Sequence, residues 1–543
     1  MVDLPPLGAG STGLYDLDQL RGIEQQAQAL LAPHTLMQRA GLAAADQARM
    51  LVGLTRRSGE ADAMQPDSRA PPPRVLIVAG PGNNGGDAFE CGFHLAKSGW
   101  RVTLWMPVPS SASAADAAQA LARLRTCTLT VIESSAAIEC ATLIGQPWSL
   151  VIDGLFGIGL TRPLTGALRA VVDTMNAIDA PLLALDVPSG LNVDTGAIPI
   201  GDDPAGTCVR ATRTLTFIAD KPGLHTAAGR DHAGLVHVAD LDIDPALLPP
   251  PRARLSQPSL FAMAAKPRAH ASHKGSFGDV MIIGGAPGMV GAALLAGHAA
   301  LKAGSGRVLI GFADATHAPT YDPQHPELMC RSATLLDFEN ATLVVGPGLG
   351  TSETARALVM RACISDAPLV LDADALNLVA ASPALAAALQ ARAGRLLVSL
   401  LTPHPLEAAR LLGTTATLIQ ADRLAAAGKL AARFAATVIL KGSGTVIADG
   451  NLLAINPTGN PALATGGTGD VLSGLCGALL AQGWPVRQAA LGAVWIHGAA
   501  ADRLVANGTG PTGVTASEII DAARAVLNDL IRSAALAAPG ARQ

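Results

Sequence analysis

The sequence has no excess of charge, no paired cysteines and no long apolar run, and each absence removes a class of function. Lys and Arg number 39 against 43 Asp and Glu, and no basic run is interleaved with aromatics, so nothing in the charge pattern suits a nucleic-acid backbone. The expected partner is a small molecule. The seven cysteines, at positions 91, 127, 140, 208, 330, 363 and 476, form no C-x-x-C pair, and no histidine stands at zinc-ligand spacing. They read as reduced packing thiols. The stretch that most tempts as a membrane span, Val471 to Val486, holds Ser473, Gln482, three glycines and Pro485, and falls short of the roughly 20 apolar residues a helical span needs. No membrane partner is expected. The opening Met1-Val-Asp-Leu-Pro-Pro6 lacks the basic, apolar, small-residue order of a secretory signal, so a cytoplasmic location is expected. No G-x-x-x-x-G-K-[ST] occurs, which excludes a P-loop nucleotidase.

What is present is globular. A chain of 543 residues exceeds the roughly 250 to 300 at which one hydrophobic core stops growing, so at least two domains are expected. Apolar residues make up 49% and charged residues 15%, and 57 Gly with 37 Pro imply many tight turns between short elements. Arg57 to Pro73 is polar and ends in three prolines, which suits a surface excursion. The segment 244–268, with Pro249-Pro-Pro251, is too proline-rich for a continuous helix or a central strand. It is read as a linker between a domain at 1–243 and another at 269–543.

Within both halves β-prone runs alternate with helical patterns, the signature of parallel βαβ units. Arg74 to Ala79, Val102 to Trp105, Ser149 to Ile152, Leu182 to Leu185 and Thr214 to Ile218 read as strands in the first half. Val280 to Ile283, Arg307 to Ile310, Thr342 to Val345, Pro368 to Leu371, Leu396 to Ser399 and Thr437 to Leu440 do so in the second. The fold class is therefore α/β in two domains. Polar motifs follow these strands: Gly80 to Asp87, Asp153, Asp186 to Ser189 and Asp220-Lys221, then Gly346 to Gly350, Asp372 to Asp374, Thr402 to His404 and Lys441 to Thr445. Glycine, asparagine and aspartate also serve ordinary turns and caps. Their recurrence at one sheet edge favours one site per domain, since open parallel sheets bind ligands outside the carboxyl ends of their strands.

Gly80-Pro-Gly-Asn-Asn-Gly-Gly-Asp87 contains G-x-G-x-x-G between a strand and a helix. The acidic residue that a dinucleotide fold carries about 20 positions on is missing, because Val102 to Trp105 leads into Met106-Pro107. An ordinary NAD-dependent dehydrogenase is excluded. The turn still offers closely spaced N–H groups at a helix start, suited to a phosphate. Oxygen donors from Asn84, Asp153 and Ser189, if convergent, make a hard-cation site. A helix cap is the lesser reading of Asp153, and Arg162 reads equally as a solvated charge.

These motifs resemble the epimerase domain of the NAD(P)H-hydrate repair enzymes. The likeness rests on Gly80 to Asp87, Val151-Ile-Asp-Gly-Leu-Phe-Gly157 and Asp186-Val-Pro-Ser-Gly-Leu191, with Leu36-Met-Gln-Arg-Ala-Gly41 and Lys221-Pro-Gly-Leu224 in support. It spans about Leu17 to Ile243 and implies a Rossmann-like αβα sandwich that interconverts the R and S forms of NADHX and NADPHX, cofactors hydrated at nicotinamide C6. The resemblance implies that Asn83, Asn84, Gly85, Gly86, Asp87, Gly157, Ile158, Gly159, Leu160, Thr161, Arg162, Pro163 and Asp186 contact the hydrate. It also implies potassium on Asn84, Asp153 and Ser189. Ala88 departs from the glycine common in the family and is expected to be tolerated, backbone strain being the cost to check. Epimerisation needs proton transfer or reversible ring opening, and Asp153 is the candidate for that duty, in competition with a purely cation-binding role.

In the second half, Gly466-Gly-Thr-Gly-Asp470 opens an apolar helix, so its N–H groups form an anion hole where transferring phosphoryl charge is stabilised. Asp470, in the first turn, is placed to accept a proton from a substrate hydroxyl. This turn resembles the ribokinase-like fold. With His273-Lys-Gly-Ser-Phe-Gly278, Gly346 to Gly350, Thr402-Pro-His-Pro405 and Lys441 to Thr445, the likeness narrows to the ADP-dependent NAD(P)H-hydrate dehydratase domain over about Ser272 to Leu530. It implies Asp470 near the hydrate, Lys441, Gly442, Ser443, Gly444, Thr445 and Gly469 around ADP or AMP, and Gly348 and His404 on the substrate side. His404 could instead merely cap a loop. Magnesium is expected with the phosphates, and a homo-oligomer is the expected assembly. The competing expectations are a ribokinase-like kinase of a vitamin precursor fused to a nucleotide-binding domain, and a first domain that senses nucleotides without catalysis.

Overall fold

The structure is a computed structural model that describes residues 12–59, 71–108, 115–134, 137–200, 206–314, 316, 318–450 and 452–537. The chain separates into two compact units, Gly13–Ala253 and a second that runs from Arg254. No helix among the described residues is long and apolar enough to cross a membrane.

The first unit is built on seven parallel strands. Their order across the sheet is Thr130–Ile132, Arg101–Trp105, Arg74–Ala79, Leu150–Gly154, Leu182–Leu185, Arg213–Phe217 and Leu235–Ala239. Arg74–Ala79 reads as an unbroken apolar run because both faces of the sheet are covered: Val75, Ile77 and Ala79 join one core cluster, Leu76 and Val78 another. The order reverses between Arg74–Ala79 and Leu150–Gly154, and the crevice of an open α/β sheet forms at such a reversal. Backbones meet closely there. A Cβ on Gly80 would stand 1.8 Å from the Leu155 carbonyl oxygen, and one on Gly85 1.9 Å from that of Gly80. Ala88 is tolerated without strain: it lies in the ordinary helix Asn83–Lys97, and its methyl faces Gly154, where a Cβ would clash at 2.4 Å.

In the second unit the strands run Ala253–Leu255, Leu452–Ile455, Val446–Asp449, Thr437–Leu440, Ser399–Leu401, Leu369–Leu371, Thr342–Val345, Asp279–Gly284, Arg307–Phe312 and Met329–Ser332. Pairing is parallel except on either side of Val446–Asp449. The helix Thr468–Ala481 is apolar all round because it is buried all round, between helix Val290–Lys302 and the sheet. Gly474 and Gly477 permit that approach, since a Cβ on either would meet the Ala296 carbonyl oxygen at 2.1 Å or Val344 at 2.4 Å.

The segment expected as a linker at 244–268 is not an open tether. Prolines 245 and 258 start short 3-10 turns, Ala253–Leu255 pairs with Leu452–Ile455, and Phe261 is 1% exposed in the second core. The prolines at 249–251 and 258 fall outside the three residues of Ala253–Leu255, which leaves that short stretch free to pair. The strand expected at Leu396 to Ser399 begins three residues later, at Ser399–Leu401.

Candidate functional sites

In the first unit a cleft of about 520 Å³ opens at the sheet reversal. Asn83, Asn84, Asp87, Asp186 and the loop Gly157, Ile158, Gly159, Leu160, Thr161 and Arg162 line it, as does Lys221. Gly85 and Gly86 are buried behind the wall, where Gly85 packs on Gly80 and Gly86 on Met37. Neither these two nor Pro163, Asp153 and Ser189 line the cleft.

Asp153 is fully buried, and both its oxygens are engaged. Oδ2 accepts the Ser189 N–H at 2.8 Å, while Oδ1 accepts the Leu155 N–H at 3.1 Å and the Ser189 hydroxyl at 2.7 Å. Burial raises its pKa to about 6 against the lowering effect of those hydrogen bonds. The Ser189 oxygen also accepts the Phe156 N–H at 2.9 Å, which ties the strand end to the turn Gly154–Gly157. Asn84 abuts the same turn: a Cβ on Gly157 would lie 3.3 Å from that of Asn84. Its amide nitrogen and oxygen are both buried without a hydrogen-bond partner. A buried amide left unsatisfied costs a few kcal/mol, so Asn84 has an oxygen and an N–H to offer a further partner.

Asp186 holds a left-handed φ of 64° at the end of its strand. Lys221 is 1% exposed, and its Nζ donates to Asp186 Oδ1 at 2.8 Å, to Thr216 Oγ1 at 2.6 Å and to the Phe217 carbonyl at 2.9 Å. Glu24 and Arg21, from the first helix Leu17–Leu30, complete the charged wall. Burial, then the neighbouring carboxylates of Asp186, Glu24 and Glu90, hold the Asp87 carboxyl well above its usual range. Burial also raises Glu24. Lys221 was legible as a polar residue after a strand and as part of the Lys221 to Leu224 motif, but not as a site residue, and Glu24 gave no signal beyond a helical position.

The second site gathers at the start of helix Thr468–Ala481. Gly467 caps it with φ 91°, and the Thr468 hydroxyl lies 2.9 Å from the carbonyls of Leu463 and Thr465. A Cβ on Gly469 would find Lys441 Nζ at 3.5 Å, and one on Gly466 would meet nothing within 4 Å. The turn is thus open toward the lysine. Lys441 Nζ bonds Asp372 Oδ1 at 2.7 Å, with Asp372 1% exposed. Burial opposes the charge of Lys441, but Asp372, Glu407 and Asp470 outweigh it and raise its pKa. Asp470 itself is pushed up to about 7, by burial first and then by Asp372, against the lowering field of Lys441.

Beneath this lysine, the turn Lys441 to Thr445 uses Gly442 at φ 137° and Gly444 at φ 58°. Buried Arg423 supports it, donating to the Leu440 and Lys441 carbonyls at 3.1 Å each. Gly348, at φ 56°, lies against the Met289 backbone, and Gly350 N–H donates to Asp374 at 2.8 Å. His404 does cap a helix: its Nδ1 accepts the Leu406 N–H at 3.1 Å, while Glu407 accepts the His404 N–H at 2.8 Å. Burial raises Glu407 to about 7 and lowers His404. Asp372 was legible from sequence as a polar residue after a strand, whereas Glu407 and Arg423 were not, although Glu407 three positions after His404 is the spacing of a capping box.

Comparison with known proteins gives these sites a family. The model described as YjeF-related protein N-terminus matches residues 33–223, and that described as NAD(P)H-hydrate dehydratase matches 280–524. The bifunctional NAD(P)H-hydrate repair enzyme Nnr of Coxiella burnetii is 35% identical over 95% of this chain and 100% of its own. That of Escherichia coli is 35% identical over 96% and 95%. Among solved structures, the ADP/ATP-dependent NAD(P)H-hydrate dehydratase of Bacillus subtilis, co-crystallised with ATP and Mg2+, is 30% identical over 51% of this chain and 98% of that one, with a TM-score of 0.44. The two near-full-length relatives decide the assignment: the chain belongs to the family of bifunctional NAD(P)H-hydrate repair enzymes.

Proposed function

We propose that the first unit epimerises the R and S forms of NADHX and NADPHX, and that the second dehydrates the S form to NADH or NADPH with ADP, releasing AMP and phosphate. The observation that carries this reading is the pairing in one chain of the Asn84–Asp186 cleft with the Gly466–Asp470 turn facing Lys441. In the second site Asp470 removes the C6 hydroxyl proton, and that oxygen takes the terminal phosphoryl group of ADP. The phosphate then leaves as the ring nitrogen's electrons move in, and loss of a C5 proton restores the dihydronicotinamide. A pKa of about 7 supports Asp470 as a base poised near neutral pH. Lys441, held by Asp372, neutralises phosphoryl charge, and the turn at Gly442, Ser443, Gly444 and Thr445 receives the adenine nucleotide with Gly469. Gly348 and His404 face the hydrate.

Two ions fit these residues. Potassium on Asn84, Asp153 and Ser189 would satisfy the unpartnered Asn84 oxygen and fix the Gly154–Gly157 turn. We assign Asp153 to that duty and not to proton transfer, because it is buried beside Ser189 and does not line the cleft. No group of three or more His, Cys, Asp or Glu able to hold a metal occurs among the described residues, so magnesium would enter on the ADP phosphates. There it would neutralise charge developing on the transferred group.

The test is incubation of the chain with separated R and S hydrates, with and without ADP, following recovery of the near-ultraviolet absorbance of the reduced nicotinamide. R consumed only with ADP, and R and S interconverting without it, is the expected result. ADP-independent phosphorylation of a vitamin alcohol by ATP, with both hydrates untouched, would replace this reading with the kinase.

A further inference from the structure

The structure assigns the proton transfer of epimerisation to Asp186, with Lys221 as the residue that positions it. This inference rests on the epimerase reading above and asks which carboxyl does the work.

Geometry separates the candidates. Asp153 spends its oxygens on Ser189 and the Leu155 N–H and has no face on the cleft. Asp186 is on the cleft wall, with Oδ1 taken by Lys221 at 2.8 Å and by the Phe217 N–H at 3.2 Å. Its Oδ2 accepts no hydrogen bond among the described residues and lies beside Gly157, where a built Cβ would stand 3.4 Å away. One oxygen is anchored and the other is presented. The anchor is rigid, because Lys221 Nζ is also held by Thr216 and by the Phe217 and Ala219 carbonyls. The φ of Asp186, 64°, lies in the left-handed region, and strain of this kind collects where a side chain must be aimed. Gly157 supplies the remaining condition, since any side chain there would cover Oδ2.

A single presented oxygen suffices for ring opening. Oδ2 takes the proton from the C6 hydroxyl and returns it to N1 as the C6–N1 bond breaks. The O–H and C6–N1 bonds are lost, C6=O and N1–H are formed, and the carboxylate ends as it began. Rotation about C5–C6 turns the aldehyde, and the reverse steps close the ring on its other face. No oxidant, metal or co-substrate enters the balance.

The experiment follows R-to-S conversion of NADHX by the full chain without ADP. Asp186→Asn, which keeps size and the Oδ1 contact, is expected to lower kcat about a hundredfold or more with KM within about threefold. Lys221→Met should lower kcat about tenfold or more, and Lys221→Arg should recover part of it, because the cation is the strongest of the donors that hold Oδ1. Asp186→Asn with wild-type kcat would overturn the inference, as would Lys221→Met with wild-type kcat. If Asp186→Asn disturbs binding, Asp186→Glu decides: kcat well above the Asn variant supports the carboxylate, and equal kcat at unchanged KM overturns it. A wild-type chain no faster than spontaneous epimerisation would instead sink the epimerase reading itself.

Discussion

Replacing Asp470 with Asn should remove dehydration and strengthen the fold, and both effects come from one property of the site. In the folded chain the carboxyl ionises at about 7 against an ordinary 3.8, because burial and the Asp372 carboxylate disfavour its charge. Native protein therefore binds more protons than unfolded chain between those values, so stability is lost as pH rises through that window. The gap corresponds to roughly 4 kcal/mol of ionisation cost above neutral pH, an upper figure because Asp470 is not fully buried. Asparagine carries no such cost. At about pH 8, Asp470→Asn should raise the Tm of the ADP-free protein, and near pH 4 the difference should vanish. Dehydration of S-NADHX should fall by about 10² to 10⁴, the usual loss with a general base, while epimerisation is unchanged. In the wild type kcat for dehydration should drop as pH falls through about 7, since only the ionised carboxyl accepts the proton. An acidic limb near the ordinary carboxylate value, or an Asn variant less stable at alkaline pH, would refute the argument.

Further outcomes follow from the same contacts. Potassium chloride should raise the Tm of the wild type over an equal concentration of a bulky organic cation, and Asn84→Ala should abolish that increment, because saturation at about 100 Kd contributes roughly 2.7 kcal/mol; equal melting in both salts would speak against a cation there. Gly85→Ala should lose epimerisation and fold stability together, because its Cβ would press on the Gly80 carbonyl oxygen at 1.9 Å. Urea melts would detect it, with a cost of about 1–3 kcal/mol for the forced shift. Arg423→Met removes the donors beneath Leu440 and Lys441, so KM for ADP should rise about tenfold at unchanged epimerase rate. Steady-state kinetics with ADP varied would check it.

How much of this was legible in the sequence depended on whether a residue's duty is written locally. The strand Arg74–Ala79 and the turn behind it were readable because apolar run, glycines and helix start are contiguous. The same holds for Gly466 to Asp470, and for the strands at 182–185, 342–345 and 437–440, whose bounds agree within a residue. Short edge strands such as Thr130–Ile132 and Met329–Ser332 were not readable, since three or four residues carry too little pattern and are defined by their partners. The sites show the same division. Asp186 and Asp470 stand next to informative glycines, whereas Lys221 takes its meaning from a carboxylate 35 positions earlier and Arg423 from two carbonyls 17 and 18 positions later. Long-range pairing of charges leaves no periodicity for a sequence to display.

The two sites treat a half-buried carboxylate in opposite ways, and the chemistry proposed for each accounts for the difference. At Asp186 a saturated lysine fixes one oxygen and leaves the other presented, an arrangement suited to a reaction that runs equally in both directions and gives back the proton it takes. At Asp470 the nearby cation, Lys441, is drawn to Asp372 at 2.7 Å, and Asp470 is left with an ionisation cost that a substrate hydroxyl proton relieves. That bias favours proton removal in one direction, as phosphoryl transfer from ADP requires. Exchanging the biases should exchange the behaviours. Asp372→Asn frees Lys441 to pair with Asp470, so the acidic limb of dehydration should move to lower pH while kcat on its plateau falls, because a stabilised carboxylate is a weaker base. Movement of the limb in the other direction would mean that Lys441 serves the phosphates alone and that Asp372 does not govern the base.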